Sequence, residues 1–153
     1  MGMTYVEFKE KVKARELNGF DEYKRIIEEL SNLYKEETDF VFYPRNLVNE
    51  KETELLFFFK DGYLTIKKEY DILQYEHINC KLLSKVINTS KYEYDEHSLK
   101  LIYDNGQEFL FNSKTDANEY WVEAYTKSII KLYNKEKSIH NGCFFLCYIE
   151  ITH

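Results

Sequence analysis

The first forty residues carry hydrophobic side chains at helical spacing. Thr4 and Glu7 form the pattern of a capping box, which marks the start of a helix. A second apolar stripe begins near Asp21 and consists of Phe20, Tyr23, Ile26, Ile27, Leu30, Leu33 and Tyr34. A period of about 3.6 residues places such side chains on one face of a helix, whereas a strand would scatter them over both faces. The sequence therefore predicts two helices within residues 4–37.

The middle of the chain, residues 39–112, alternates apolar and polar side chains in short runs. Alternation with a period of two is typical of strands that are buried on one face. The candidate strands are residues 53–60, 63–70, 91–95, 98–103 and 108–112, and residues 78–88 are expected to hold one more. The sequence therefore predicts an antiparallel β-meander or a partly open barrel.

Two turn signals support this meander. Asp61-Gly62 and Asn105-Gly106 each separate two candidate strands. Asp-Gly and Asn-Gly between apolar runs predict β-hairpins, and Asp61-Gly62 in particular predicts a type I′ turn with positive φ at both residues. We expect all four residues to have structural roles.

The last part of the chain predicts a capping helix over residues 113–137 and a terminal strand over residues 142–151. The apolar face of the helix consists of Ala117, Tyr120, Trp121, Ala124, Tyr125, Ile129 and Leu132. The terminal run is apolar on both faces, as expected for a strand that is covered from both sides. We expect it to pack within the chain; pairing with a second copy, which would give a homodimer, is the alternative.

The composition fits a single α+β domain that spans residues 1–153. Hydrophobic residues make up 44% of the chain and charged residues 31%, which is ordinary for a folded domain. A formal net charge of −6 opposes binding to the phosphates of nucleic acids. Three cysteines are too few for a disulfide framework, and no apolar run approaches the ~18 residues of a membrane span. We therefore expect a cytoplasmic protein that does not bind nucleic acid.

The last predicted hairpin and the helix after it carry a resemblance to a known fold. The hairpin is LKLIYDNGQEFLFN (Leu99–Asn112), and the helix DANEYWVEAYTKSI (Asp116–Ile129) holds Trp121 and Ala124 in a Trp-x-x-Ala arrangement. Residues 53–137 thereby resemble the pleckstrin-homology superfold. The resemblance implies a curved sheet of seven strands, capped at one open corner by a helix whose indole packs across the mouth of the barrel.

Lipid-binding members of that superfold grip inositol phosphates with basic residues around the first hairpin loop. In this sequence the loop is the two-residue turn Asp61-Gly62, with Lys60, Lys67 and Lys68 nearby. A tight turn that contains an acid cannot wrap a polyphosphate, and this disfavours phosphoinositide binding. The three lysines stay as candidates for contact with another ligand.

The sequence predicts no catalytic residue, no cofactor and no metal site. It lacks the G-x-S-x-G, P-loop and G-x-G-x-x-G patterns. Cys143 and Cys147 lie four residues apart on a predicted strand, about 13 Å from each other, which is too far to share a zinc ion. Trp121 is expected in the core, whereas Tyr92 and Tyr94 are the rings expected to be exposed and to contact a ligand.

These observations favour a non-catalytic binding or adaptor domain that recognises a protein or peptide. The expected site is a groove between the C-terminal helix and an edge strand, where an extended peptide can add to the sheet. A membrane-surface module that uses Lys60, Lys67 and Lys68 is the first alternative. A small enzyme with a pocket lined by His77 or His97 is the second.

Overall fold

The computed structural model describes residues 3–34, 40–92 and 95–135. These residues form three α-helices and two antiparallel sheets, which are not closed into a barrel. The helices are α1 (Tyr5–Lys13), α2 (Phe20–Leu33) and α3 (Val122–Asn134). The strands are β1 (Phe40–Arg45), β2 (Glu54–Phe59), β3 (Gly62–Glu69), β4 (Ile72–Asn79), β5 (Leu82–Asn88), β6 (Ser98–Tyr103) and β7 (Glu108–Asn112). The predicted α+β class, with two helices before the strands and one after them, is confirmed.

The two N-terminal helices begin and pack as the sequence predicts. The Thr4 hydroxyl accepts a hydrogen bond from the Glu7 N–H at 3.1 Å and caps α1. The apolar side of α1 is buried, and Ile26 and Leu30 are the buried residues of α2. Both helices therefore bury their apolar stripes in the same core.

The four-stranded sheet is ordered β1-β2-β3-β4, and its middle strand β2 is covered on both faces, whereas β4 has no buried residue. On one face Tyr5 of α1 packs against Phe42 and Phe57, with ring centroids 5.3 and 5.8 Å away. On the other face Phe58 meets Phe109 of the three-stranded sheet β5-β6-β7 at 5.1 Å. The run ELLFFF is apolar at successive positions because its strand lies between two layers.

The hairpin predicted at Asp61-Gly62 is present, but its turn is not type I′. Phe59 pairs with Gly62, so the turn residues are Lys60 and Asp61, and neither has a positive φ. Gly62 is the first residue of β3, with φ +147°, and a Cβ there would lie 1.8 Å from the carbonyl oxygen of Ile78. The glycine is needed because β4 approaches this backbone closely, not because of the turn.

The hairpin predicted at Asn105-Gly106 is confirmed. The Tyr103 N–H donates to the Gln107 carbonyl at 2.9 Å, and Gly106 adopts φ +89°. Gly106 thus occupies the left-handed position of a short loop, where glycine carries no steric penalty.

Three predicted elements differ from the structure. Lys91, Tyr92 and Asp95 lie in bends and not in a strand, and the strand before β6 is β5, within the predicted range 78–88. The C-terminal helix begins only at Val122, because a 3-10 turn over Glu119–Trp121 precedes it. The terminal strand predicted at 142–151, with the homodimer that it could support, lies outside the described residues.

Candidate functional site

The four-stranded sheet splits between β2 and β3. β1 and β2 pair at six positions and β3 and β4 pair at eight, whereas β2 and β3 pair at only three. The last of these pairs is Phe57 with Leu64, although β2 extends back to Glu54 and β3 extends on to Glu69. The two strands therefore separate and leave an opening in the sheet, which we call the β2/β3 cleft.

Main-chain polar groups point into this cleft. The pair Phe59–Gly62 closes a two-residue turn, and from such a pair every second residue of an antiparallel ladder directs its N–H and C=O towards the facing strand. By this alternation Leu55 of β2 and Ile66 of β3 face each other. They form no pair, because the strands have already separated. The cleft thus has a hydrogen-bonding edge on each side.

The cleft is large enough for a ligand and has walls of different chemistry. Its volume is about 520 Å³, within the range of ~300–1,000 Å³ that is typical of ligand pockets. Tyr23 and Ile26 of α2 lie on one side, and Thr65 and Lys67 of β3 line it too. The Thr65 hydroxyl is shielded from solvent and has no hydrogen-bond partner in the described part of the chain. A shielded hydroxyl without a partner is uncommon in folded proteins and calls for an explanation.

The β1–β2 side of the cleft is held by a buried carboxylate. Asp116 accepts hydrogen bonds from the Tyr43 hydroxyl at 2.7 Å and from the Asn112 N–H at 2.8 Å, and its Oδ1 lies 3.6 Å from Arg45 Nε. The Asp116 carbonyl accepts from the Asn46 N–H at 2.8 Å. These contacts tie the end of β1 to the segment that precedes α3.

The β3–β4 side is held by α2. Arg25 donates to the carbonyl of Asp71 at 2.8 Å, and the Tyr75 hydroxyl donates to Glu29 at 2.6 Å. The hydrogen bond from Tyr75, and then that from Arg25, lowers the pKa of Glu29. One strand pair is thus anchored on the segment before α3, and the other is anchored on α2.

Burial raises the pKa of Tyr43 well above its ordinary value, and the nearby charge of Asp116 raises it further. The hydroxyl therefore stays protonated and donates to Asp116 throughout the neutral range.

This buried hydroxyl predicts a specific loss of stability at alkaline pH. Because the folded pKa is raised, the contribution of Tyr43 is complete below the unfolded tyrosine pKa of about 10 and declines above it. We expect the difference in unfolding free energy between wild type and Tyr43→Phe to fall by about 1.4 kcal/mol per pH unit above that value. Urea unfolding as a function of pH measures it.

The matched control is Tyr70→Phe, since the ring of Tyr70 is 88% exposed and folding changes its surroundings little. Its difference from wild type is expected to stay flat. A Tyr43→Phe difference that also stays flat above pH ~10 would contradict the assignment.

A second polar cluster lies at the C-terminal end of α2. The Tyr34 hydroxyl lies 2.9 Å from His77 Nδ1, and His77 Nε2 lies 2.9 Å from Asp61 Oδ1. Burial, and then the charge of Asp61, raises the pKa of Tyr34, so its hydroxyl is protonated at neutral pH. A tyrosine held in this state is not an activated nucleophile. The chain Tyr34–His77–Asp61 connects α2 to β4 and to the β2–β3 turn.

His97, the other imidazole named above, is buried in a loop. Its ring Nδ1 lies 2.9 Å from the Asp95 carbonyl oxygen, and its main-chain N–H donates to the Ser113 hydroxyl at 2.9 Å. These contacts hold the loop that leads into β6.

A groove does lie between α3 and the edge strand β1, where a peptide site was expected. Its volume is about 210 Å³, and residues 3–6 form part of its wall. The outer edge of β1 is a poor template for strand addition, because Pro44 has no N–H and its carbonyl accepts the Tyr125 hydroxyl. The β2/β3 cleft is larger and has two open edges.

Trp121 and Ala124 lie at different depths in the fold. Ala124 is buried, whereas the indole of Trp121 is half-buried at the margin of the core, with Lys11 Nζ 5.4 Å from its ring centroid. The fully buried ring of α3 is Tyr125. Trp121 therefore does not have the barrel-plugging position that the pleckstrin-homology resemblance implies, since the sheets form no closed barrel.

The lysine and tyrosine candidates do not form one surface. Lys67 and Lys68 line the β2/β3 cleft, whereas Lys60 lies in the turn at the other end of β3. Tyr92 is exposed, and Tyr94 lies outside the described residues. The cleft residues Leu55, Thr65 and Ile66 were not predicted, because no sequence signal marks where two strands stop pairing.

The described residues form a small α+β domain whose four-stranded sheet is paired at only three positions between β2 and β3. A family model matches residues 3–127, and the chain belongs to that family, described as "Protein of unknown function (DUF3908)". The β2/β3 cleft and both of its anchors lie within the matched residues. None of the curated proteins and none of the solved structures matches the chain, so these comparisons do not confirm the pleckstrin-homology resemblance. No helix in the described ranges is long and apolar enough to cross a membrane.

Proposed function

We propose that this chain is a non-catalytic binding domain that takes an extended segment of a protein or peptide into the β2/β3 cleft. The observation that carries the proposal is the pair of unpaired strand edges at Leu55 and Ile66, next to an apolar wall from α2. Open strand edges bind extended peptides through main-chain hydrogen bonds, while neighbouring pockets select side chains. A cytoplasmic location, which the low cysteine content favours, is part of this proposal.

Selection from a random peptide display library tests the proposal without a known partner. Peptides enriched on the purified full chain are measured by fluorescence anisotropy against wild type and Thr65→Tyr. The larger ring fills the cleft, and the hydroxyl that it replaces has no partner in the described part of the chain. We expect binding to weaken about tenfold or more.

Thr115→Tyr is the matched control, because Thr115 is exposed in the loop before α3 and lies outside the cleft. It is expected to bind as wild type does. Circular dichroism of both variants excludes unfolding as the cause, and Thr65→Val provides a smaller change at the same position. Failure to enrich any peptide, or equal binding to Thr65→Tyr, would overturn the proposal.

Membrane-surface binding through Lys60, Lys67 and Lys68 is less well supported. Lys68 forms an ion pair with Glu22 at 3.3 Å, and Lys60 lies at the opposite end of β3. Saturable, salt-sensitive binding to vesicles of anionic lipid, lost in Lys67→Glu, would favour it over the peptide proposal.

An enzyme that uses His77 or His97 also has weaker support. Both ring nitrogens of His77 have partners within the fold, and Nδ1 of His97 lies next to the Asp95 carbonyl oxygen. Tyr34, beside His77, keeps its hydroxyl proton at neutral pH. The geometry of both clusters is that of structural cross-links.

A further inference from the structure

The register of the sheet fixes which side chains would flank an occupant of the β2/β3 cleft. Phe57 is paired with Leu64, so continuing the same register places Leu55 opposite Ile66 and Glu54 opposite Lys67. An occupant that lies between the strands meets these two levels in succession. Its neighbours are therefore known residue by residue.

The two faces of the occupant would meet different chemistry. Side chains alternate between the faces of a strand, and Leu64 and Ile66 are on the side of α2, where Tyr23 and Ile26 line the cleft. Thr65, which lies between them in sequence, projects from the opposite face. An occupant with alternating apolar and polar side chains matches both faces.

The charges along the cleft are unevenly neutralised. Lys68 is paired with Glu22 at 3.3 Å, and Glu54 lies 3.5 Å from Arg45. Lys67 forms no ion pair within the described ranges. Lys67 is therefore the cation that an acidic side chain of the occupant can neutralise, although the carboxylate of Glu52 also lines the cleft, two positions before Glu54.

A purely apolar ligand would fit this cleft poorly. It would cover the N–H and C=O groups of Leu55 and Ile66 without bonding to them, and an unpaired main-chain group that loses water is destabilising. A peptide backbone supplies the missing donors and acceptors to both edges.

We infer that the occupant is a peptide inserted as a strand between β2 and β3, with apolar side chains towards α2 and an acidic side chain beside Lys67. This inference rests on the proposed function and specifies its binding mode. Because β2 and β3 are antiparallel, the inserted strand is parallel to one of them and antiparallel to the other. It adds a fifth strand where β2 and β3 are unpaired, next to their three paired positions.

A scan of N-methylated amides in a selected peptide tests the insertion. A strand bonded on both sides uses every N–H, so methylation at two consecutive central positions is expected to weaken binding at both, each by about fivefold or more. A strand added at a sheet edge bonds only every second N–H. Alternating sensitivity, or none, would overturn the insertion.

A charge exchange tests the acidic contact. We expect Lys67→Glu to weaken a selected peptide that carries the acid by about tenfold, and to bind better the same peptide with lysine in place of the acid. Lys60→Glu is the matched control, since Lys60 is exposed at the far end of β3, and it should change neither affinity. Equal effects of the two substitutions would refute a contact with Lys67.

The proposed function and the proposed binding mode can be refuted independently. If Thr65→Tyr leaves peptide binding unchanged, the cleft is not the site and the proposed function is wrong. If Thr65→Tyr abolishes binding but N-methylation is tolerated at alternate positions, the site stands and only strand insertion is wrong.

Discussion

Replacing Gly62 with alanine is expected to destabilise the protein by more than about 3 kcal/mol, the largest effect that we predict for a single methyl group. The new Cβ would lie 1.8 Å from the carbonyl oxygen of Ile78, which belongs to the neighbouring strand and cannot move without breaking the β3–β4 ladder. The backbone also adopts φ +147°, a region that residues with a side chain rarely occupy. Urea unfolding followed by circular dichroism measures the effect.

Gly106→Ala separates the close contact from the backbone conformation. Gly106 also has a positive φ, at +89°, but no atom lies within 4 Å of the position of its Cβ. We expect a cost of only about 1–2 kcal/mol from the left-handed backbone. If the two variants lost equal stability, the approach of Ile78 to Gly62 would not be the reason for the glycine.

Asp116→Asn is expected to lower the free energy of unfolding by about 3 kcal/mol. The substitution keeps the shape of the side chain but removes the negative charge from the group that accepts hydrogen bonds from the Tyr43 hydroxyl and the Asn112 N–H. It also removes one of the two carboxylates near Arg45, which is mostly buried, and leaves Glu54 at 3.5 Å as the other. Denaturant unfolding of the purified variant measures the loss.

Asp71→Asn is the matched control for this charge. Asp71 is exposed, and its contact with Arg25 uses the main-chain carbonyl, which the substitution leaves in place. We expect a change within about 0.5 kcal/mol. A comparably small change in Asp116→Asn would show that the buried carboxylate does not anchor β1.

Elements with strong local signals could be predicted from the sequence. The capping box at Thr4 and the apolar stripe of α2 depend only on neighbouring residues, and so does the hairpin marked by Asn105-Gly106. The structure confirms the helix start at Thr4, the stripe of α2 and this hairpin. For Asp61-Gly62 the location of the hairpin was right and the reason for the glycine was wrong, since Gly62 responds to a strand that lies far away in sequence.

The β3–β4 hairpin was not predicted, because its turn lacks the Asn-Gly or Asp-Gly pair that marks a two-residue hairpin. Tyr70 and Asp71 form the turn, and Tyr70 adopts φ +55°, which tyrosine seldom does. The surrounding strands impose this conformation, and the sequence gives no local sign of it. Strand β1 lies in the part predicted to be β-rich but was not among the candidate strands; it contains Pro44, which is tolerated because β1 is an edge strand.

The cleft could not be predicted from the sequence for a related reason. The contacts that hold β1 and β4 on either side of it join residues that are about 45 to 75 positions apart along the chain. Pairing of β2 with β3 along their full length would have been the simpler expectation from two adjacent apolar runs.

Amide hydrogen exchange of the free protein, resolved by NMR, tests the separation of β2 and β3 most directly. We expect the amides of Leu55 and Ile66 to exchange quickly, because their N–H groups face the open cleft, and those of Phe57 and Leu64 to exchange slowly in the paired part of the same strands. Equal, strong protection of all four amides would mean that the strands are paired throughout, and that the cleft and the binding function proposed for it are absent.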